Sequence, residues 1–264
     1  MHSWRSFSRW RLLSVPPRAG AENMARDSAL QSRAARTGET VFSVYSWSRP
    51  TLSFGRNQPA RGFYDFEKLR AAGVDVVRRP TGGRAILHNH EVTYSVTAPV
   101  NDAGSLRETY TRINRILQVG LSRLGVLVDV AATSLRAPVP SVRPCFEVPG
   151  EGELVAGGAK LVGSAQWREN GALLQHGSIL VADDQSSLPE FSAFPAEGNS
   201  IPAPATLHAL LGRAPDAEEV ATAMFDAVRE LEDPQAIALA EDDVRDEALQ
   251  RVPHFLSEDW TWRR

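Results

Sequence analysis

Apolar residues along this chain recur in two rhythms, one suited to helices and one to strands. Leu106, Tyr110, Ile113, Leu117, Leu121 and Leu124 fall three or four positions apart, which predicts a helix over Leu106–Leu124 with Gly125 as its C-terminal cap. Val220, Met224, Val228 and Leu231 repeat that spacing over Glu218–Leu231, and a shorter helix follows near Asp243–Arg251. Asn23 is the expected cap of a helix over Met24–Arg36 that Gly38 ends, and Asp65–Ala72 gives a short helix stopped by Gly73. Short β-branched and aromatic runs between turn residues read as strands: Trp10–Val15, Val41–Trp47, Thr51–Phe54, Val74–Arg79, Ala85–His88, Val92–Val96, Val126–Val130 and Leu173–Val181. Ser48-Arg49-Pro50 is a turn between two of them. Gly157-Gly158 separates Glu153–Ala156 from Ala159–Ala165 as a hairpin, which puts Lys160 near the start of the returning strand.

Many strands in meander order, broken by helices, predict an α+β fold with a mostly antiparallel mixed sheet flanked by helices. The expected layout is one domain over residues 9–255, with a Ser-, Pro- and Ala-rich loop or lid over 183–205 and C-terminal helices over about 216–252. Residues 1–8 are expected to be disordered or an over-extended start, and 256–264 a tail. The Arg- and Ser-rich beginning superficially resembles a transit peptide, but the strand pattern from Trp10 makes it part of the fold.

Composition narrows the classes. A chain of 264 residues with 42% hydrophobic and 23% charged content can bury a sizeable core without staples. Its single cysteine excludes an internal disulfide and fits a reducing, cytoplasmic setting. A net charge of -3 gives no global signal for nucleic acid, so an acidic partner would have to meet a local arginine patch. No apolar run approaches a membrane span, and there is no Walker-type phosphate loop.

Of the 29 basic side chains only Lys68 and Lys160 are lysines. Lys160 follows the lone Cys145 by fifteen positions. A neighbouring ammonium lowers a thiol's pKa and steadies an oxyanion, so the pair suggests a thiolate nucleophile. A buried Cys and a surface Lys fit the same spacing. Arg78-Arg-Pro-Thr-Gly-Gly-Arg-Ala-Ile-Leu-His88 is the second candidate. Its glycines let a ligand approach the backbone, and Arg78, Arg79 or Arg84 with the turn amides would hold an anion or a polar acyl head. A hairpin turn with solvated arginines is the alternative. His176, in Gln175-His-Gly-Ser178, reads as a core histidine or an acid–base group. His88, His90 and Glu91 alternate on one short segment, which is not a zinc pattern, and no metal is expected.

Together these segments resemble a known family. The Arg78–His88 stretch with Glu91-Val-Thr-Tyr-Ser-Val96, Gly158-Ala-Lys-Leu-Val-Gly-Ser-Ala-Gln166 and Leu174-Gln-His-Gly-Ser-Ile179 resemble the biotin/lipoate protein ligase catalytic domain. Glu22-Asn-Met-Ala-Arg-Asp-Ser-Ala-Leu30 and Trp47–Arg56 do so too, giving core motifs over 22–181. Pro144-Cys-Phe-Glu-Val-Pro149 and Arg84 resemble the cysteine-dependent octanoyltransferase branch. Where that branch often has an aromatic residue before Glu153-Leu154, this chain reads Gly150-Glu-Gly152.

The resemblance implies an octanoyl transfer from octanoyl-acyl carrier protein to a lysine of the glycine-cleavage H protein or a lipoyl domain, through a Cys145 thioester, without a cofactor. Lys160 then lowers the thiol's pKa. Substrate falls on Arg78, Arg79, Thr81, Gly82, Gly83, Arg84 and His88, and on Gly163, Ser164, Ala165, His176 and Gly177. The rival is a lipoate–protein ligase using ATP and magnesium, with Cys145 as core. A third reading is a non-catalytic carrier-binding protein.

Overall fold

The central sheet alternates its side chains into two separate cores. In strand β1 (Trp10–Ser14) Trp10 and Leu12 join one core while Leu13 joins the other; in β2 (Thr40–Tyr45) Phe42 and Val44 oppose Val41 and Tyr45. Period-two alternation with both faces covered leaves every residue of β2 buried. The computed structural model describes residues 9–100, 104–131, 146, 150, 152–194 and 202–263.

Among the described residues the large sheet has eight strands. Their ranges are β1, β2, β6 (Glu91–Pro99), β7 (Asp129–Val130), β8 (Leu154–Ala156), β9 (Ala159–Glu169), β10 (Ala172–Leu180) and β11 (Ile237–Ala238). They lie in the order β11-β1-β2-β6-β10-β9-β8-β7. β1 runs parallel to β2 and β11; the remaining pairs are antiparallel, so the mixed, mostly antiparallel sheet is as the sequence indicates. Helices α3 (Leu106–Arg123) and α5 (Ala217–Leu231) supply Ile113, Leu117, Val220 and Met224 to one core. Helices α1 (Gly20–Thr37) and α6 (Asp242–Leu256) supply Met24, Leu30, Val244 and Phe255 to the other. No described helix is long and apolar enough to cross a membrane.

A second sheet holds β3 (Thr51–Phe54) between β4 (Asp75–Arg78) and β5 (Ile86–His88), with α2 (Phe66–Ala71) joining β3 to β4. Chain leaving β2 therefore enters another sheet after the Ser48-Arg49-Pro50 turn. Its core contains Leu52, Phe54, Leu69, Leu87, Leu188 and Trp262.

Several boundaries differ from the sequence reading. Helix α1 begins at Gly20, because the Glu22 carboxylate accepts from the Ala19 amide at 3.0 Å. Asn23 is not its cap; its side-chain amide donates to the Ser46 carbonyl at 3.1 Å and braces the end of β2. Residue Leu124 caps α3 in a right-handed conformation, with Gly125 just beyond it. The strand expected over Val126–Val130 contracts to an exposed two-residue pair. Within 183–205, a 3-10 helix over Gln185–Phe191 docks on β5, Gln185 donating to the Leu87 carbonyl at 2.6 Å. Short α4 (Leu207–Leu211) follows. The expected tail is instead part of the fold. Ser257 caps α7 (Glu258–Thr261), and Trp262 packs edge-on against Phe54 with ring centroids 5.3 Å apart.

Candidate active site

A cavity of about 250 Å³ opens between the two sheets. Its walls come from the glycine turn after β4, from β5, and from the adjoining stretches of β9 and β10, with Met24, Tyr45, Trp47, Thr93, Gly150 and Glu153. Antiparallel pairing sets Ser164 opposite Gly177 and Ala165 opposite His176, so the two motif strands present their residues side by side.

Lys160 is 2% exposed, an unusual place for an ammonium. The hairpin predicted at Gly157-Gly158 delivers it: both glycines have positive φ, 58° and 81°, as the tight primed turn requires. Its Nζ donates to Glu153 Oε1 at 2.6 Å and sits 4.6 Å from the centre of the Phe146 ring. Gly163 provides the room. A Cβ there would stand 3.0 Å from Lys160 Cε and 3.0 Å from Phe146 Cζ. Cys145 lies outside the described residues; Phe146 is its covalent neighbour.

The two arginines at the turn point to different places, as successive strand residues do. Arg79 lines the cavity, yet its guanidinium is held by backbone carbonyls: Gly82 at 2.9 Å, Arg84 at 2.7 Å and Ser53 at 3.1 Å. It shapes the Gly82-Gly83 turn from within. Arg78 is fully buried away from the cavity, donating to the carbonyls of Gly55 at 2.6 Å, Gln58 at 2.8 Å and Thr261 at 3.0 Å. Neither is a solvated hairpin arginine. Arg84 and Gly83 line the cavity; Thr81 and Gly82 do not.

Two histidines are wired alike. His176 Nδ1 meets Asp27 Oδ2 at 2.9 Å and Nε2 meets the Thr81 hydroxyl at 2.6 Å. Burial pushes His176 below the usual histidine range, against the pull of Asp27, so the neutral ring donates from Nδ1 and accepts the Thr81 proton. The Asp27 carboxylate also accepts from the Tyr45 hydroxyl at 2.8 Å. His88 Nδ1 meets Glu91 Oε1 at 2.7 Å and Nε2 meets Ser53 Oγ at 2.7 Å, with Trp47 stacked on the ring at 3.9 Å. Ser53 Oγ accepts from Arg79 at 3.0 Å, which leaves its proton for His88 Nε2. His90, by contrast, turns to Asp184 at the surface. Behind Ser164 the Tyr94 hydroxyl contacts Ser164 Oγ at 2.6 Å and Gln175 Nε2 at 2.8 Å, and burial pushes this phenol up to about 12.

Ten expected site residues thus converge on the cavity: Lys160, Arg79, Gly83, Arg84, His88, Gly163, Ser164, Ala165, His176 and Gly177. Sequence reasoning assigned nothing to Asp27, Glu91, Glu153 or Trp47. Asp27, Trp47 and Glu91 lie within motifs quoted above; Glu91 is weighed there only as a metal ligand, and the partners of Asp27 and Trp47 are distant in sequence.

The lipoyl protein ligase A/B catalytic-domain model matches residues 19–229. Octanoyltransferase LipM of Carboxydothermus hydrogenoformans is 41% identical over 183 residues, covering 68% of this chain and 67% of that one. Octanoyltransferase LipM of Kyrpidia tusciae is 37% identical over 97% of this chain and 99% of its own. In architecture the chain superposes on the bi-partite lipoate protein ligase of Thermoplasma acidophilum with a TM-score of 0.75 at 20% identity, covering 96% of each. That likeness is one of fold.

Proposed function

The chain belongs to the lipoyl protein ligase A/B catalytic-domain family, and from that premise we propose that it is an octanoyltransferase working through a Cys145 thioester. The observation that carries the reading is the buried Lys160 ammonium, set into the cavity beside Phe146, the residue next to Cys145. It is joined by the similarity to octanoyltransferases named LipM.

In the proposed reaction the alkyl chain of an octanoyl thioester on acyl carrier protein enters along Met24, Trp47 and Ile86, which line the cavity. Burying the carbons beyond the carbonyl contributes roughly 5 kcal/mol at about 0.8 kcal/mol per methylene. The Cys145 sulfur attacks the carbonyl carbon, and the negative oxygen is met by Lys160 and turn amides. The bond to the carrier's sulfur breaks, and that thiolate leaves and takes a proton. A neutral lysine amine of a lipoyl domain or H protein then attacks the Cys145 thioester. An amide forms, the Cys145 thiolate departs, and the amine's proton goes to solvent or a nearby base. Exchange between thioesters is nearly isoenergetic and thioester to amide runs downhill, so the sequence needs neither ATP nor magnesium. Two half-reactions predict ping-pong kinetics.

The test is intact mass after incubation with octanoyl-acyl carrier protein without ATP, for wild type and Cys145→Ser. An octanoyl adduct on wild type alone, released by neutral hydroxylamine, supports the reading. No adduct, with transfer from free octanoate or lipoate only when ATP and magnesium are added, replaces it with a lipoate–protein ligase.

A further inference from the structure

Outside the catalytic cavity, a groove of about 150 Å³ lies between α1 and α6. Its two walls differ in kind. Helix α6 contributes Val244, Ala248, Leu249 and Val252, an apolar stripe at helical spacing in which Leu249 is 54% exposed. The α1 side contributes Arg18, Glu22 and Arg26, and Glu241 and Arg245 complete the lining.

Most of these charges are already matched. Glu241 accepts from Arg18 at 3.1 Å, Arg245 pairs with Asp242 at 2.6 Å, and Glu22 accepts from the Ala19 amide at 3.0 Å. Arg26 differs. It is 4% exposed, and a guanidinium is a fork of donors that is costly to bury without acceptors. Its Nη2 donates to Asn23 Oδ1 at 2.8 Å, and its guanidinium carbon lies 4.7 Å from the centre of the Tyr45 ring. Neither partner is an anion in contact. The buried Nε has no hydrogen-bond partner among the described residues. Burial pushes the group below arginine's usual range, although Asp27 and Glu241 pull the other way through space.

We propose that this groove binds a small carboxylate carrying a short alkyl tail, with the head on Arg26 and the tail along the α6 stripe. A carboxylate matches the guanidinium fork with two parallel bonds. The tail leaves water as it covers Leu249 and its neighbours. An inorganic anion uses the charged wall alone, and an alkyl ammonium is repelled by Arg26. The site requires nothing of Cys145 or Lys160, so it stands apart from the proposed acyl transfer. Tyr45 also lines the catalytic cavity, so the two hollows share a wall.

The test is a titration of full-length, methyl-labelled protein with sodium hexanoate, followed by NMR. Saturable shifts are expected at Val244, Ala248, Leu249 and Val252. Ile86 lines the catalytic cavity and not the groove, so its methyls report entry there. Arg26→Gln should weaken groove binding by at least about tenfold. Leu249→Glu changes an exposed position and should weaken it as much; this variant decides the matter if Arg26→Gln does not fold. Groove methyls that stay still, shifts at Ile86 alone, or wild-type affinity in either folded variant would overturn the proposal. An equal response to inorganic phosphate would remove the role of the tail, and an equal response to hexylammonium that of Arg26; either result overturns it too.

Discussion

Replacing Gly163 by alanine probes the site through a single methyl group. The backbone there is ordinary strand, so the added atom meets only what fills the space: Lys160 Cε at 3.0 Å, Phe146 Cζ at 3.0 Å and Lys160 Nζ at 3.2 Å. Carbon–carbon contacts are most favourable from about 3.5 Å, so lysine and phenylalanine must each yield by roughly 0.5 Å. Overpacking of this kind costs about 1–3 kcal/mol, and the glycine's lost freedom in the unfolded chain returns about 0.4–1 kcal/mol. The net loss, roughly 1–2 kcal/mol, corresponds to a Tm lower by about 2–8 °C for a chain this long. Misplacement of about 1 Å at reacting groups costs about 100-fold in rate, so half of that predicts a fall of about tenfold. The assay is the single-turnover rate of octanoyl adduct formation by intact mass, with thermal unfolding measured in parallel. A wild-type rate in the folded variant would refute the proposal that Lys160, in the space over Gly163, acts at the reacting centre.

Two further outcomes follow from the buried network. His176 is pushed below its usual value, so below about pH 6.5 the unfolded chain binds a proton that the folded chain refuses, and stability falls as pH drops through that point; unfolding in urea from pH 7.5 to 5 should show a steeper loss for wild type than for His176→Gln, and equal slopes would contradict the assignment. Arg78→Lys keeps the charge but loses the fork that serves Gly55, Gln58 and Thr261, and should destabilise by at least about 2 kcal/mol in denaturant unfolding; an unchanged midpoint would sink the structural role.

Local signals announced most of the elements. The apolar spacing of α3 and α5 survives almost unchanged, because both helices bury one face against the sheet. The glycine pair before Lys160 specified its hairpin through chemistry contained in four residues. Assignments that failed depended on partners far along the chain. Asn23 has the composition of a cap, but a carbonyl on β2 claims its side chain. Val126–Val130 has strand composition, yet little of it finds a partner. Nothing in the pattern of β2 and β3 says that they enter different sheets. Within the site, Lys160 was legible because it is one of two lysines in a chain rich in arginine, and the glycine turn because two adjacent glycines open the backbone to a ligand. Asp27 was not, since the histidine it orients lies 149 positions away. Arg78 and Arg79 look equivalent as neighbours, but strand alternation sends one to the cavity side and the other to the rear.

The rear contact of Arg78 also governs when a working site can exist. Its bond to the Thr261 carbonyl joins residues 183 positions apart, and Trp262 closes the same small core. Closing so long a loop comes after local helices and hairpins have formed. On the ribosome, β4 and the glycine turn therefore emerge long before the residues that brace them. A chain interrupted short of α7 would carry every motif that lines the cavity and still lack the Thr261 carbonyl that Arg78 meets and the Trp262 ring that packs on Phe54.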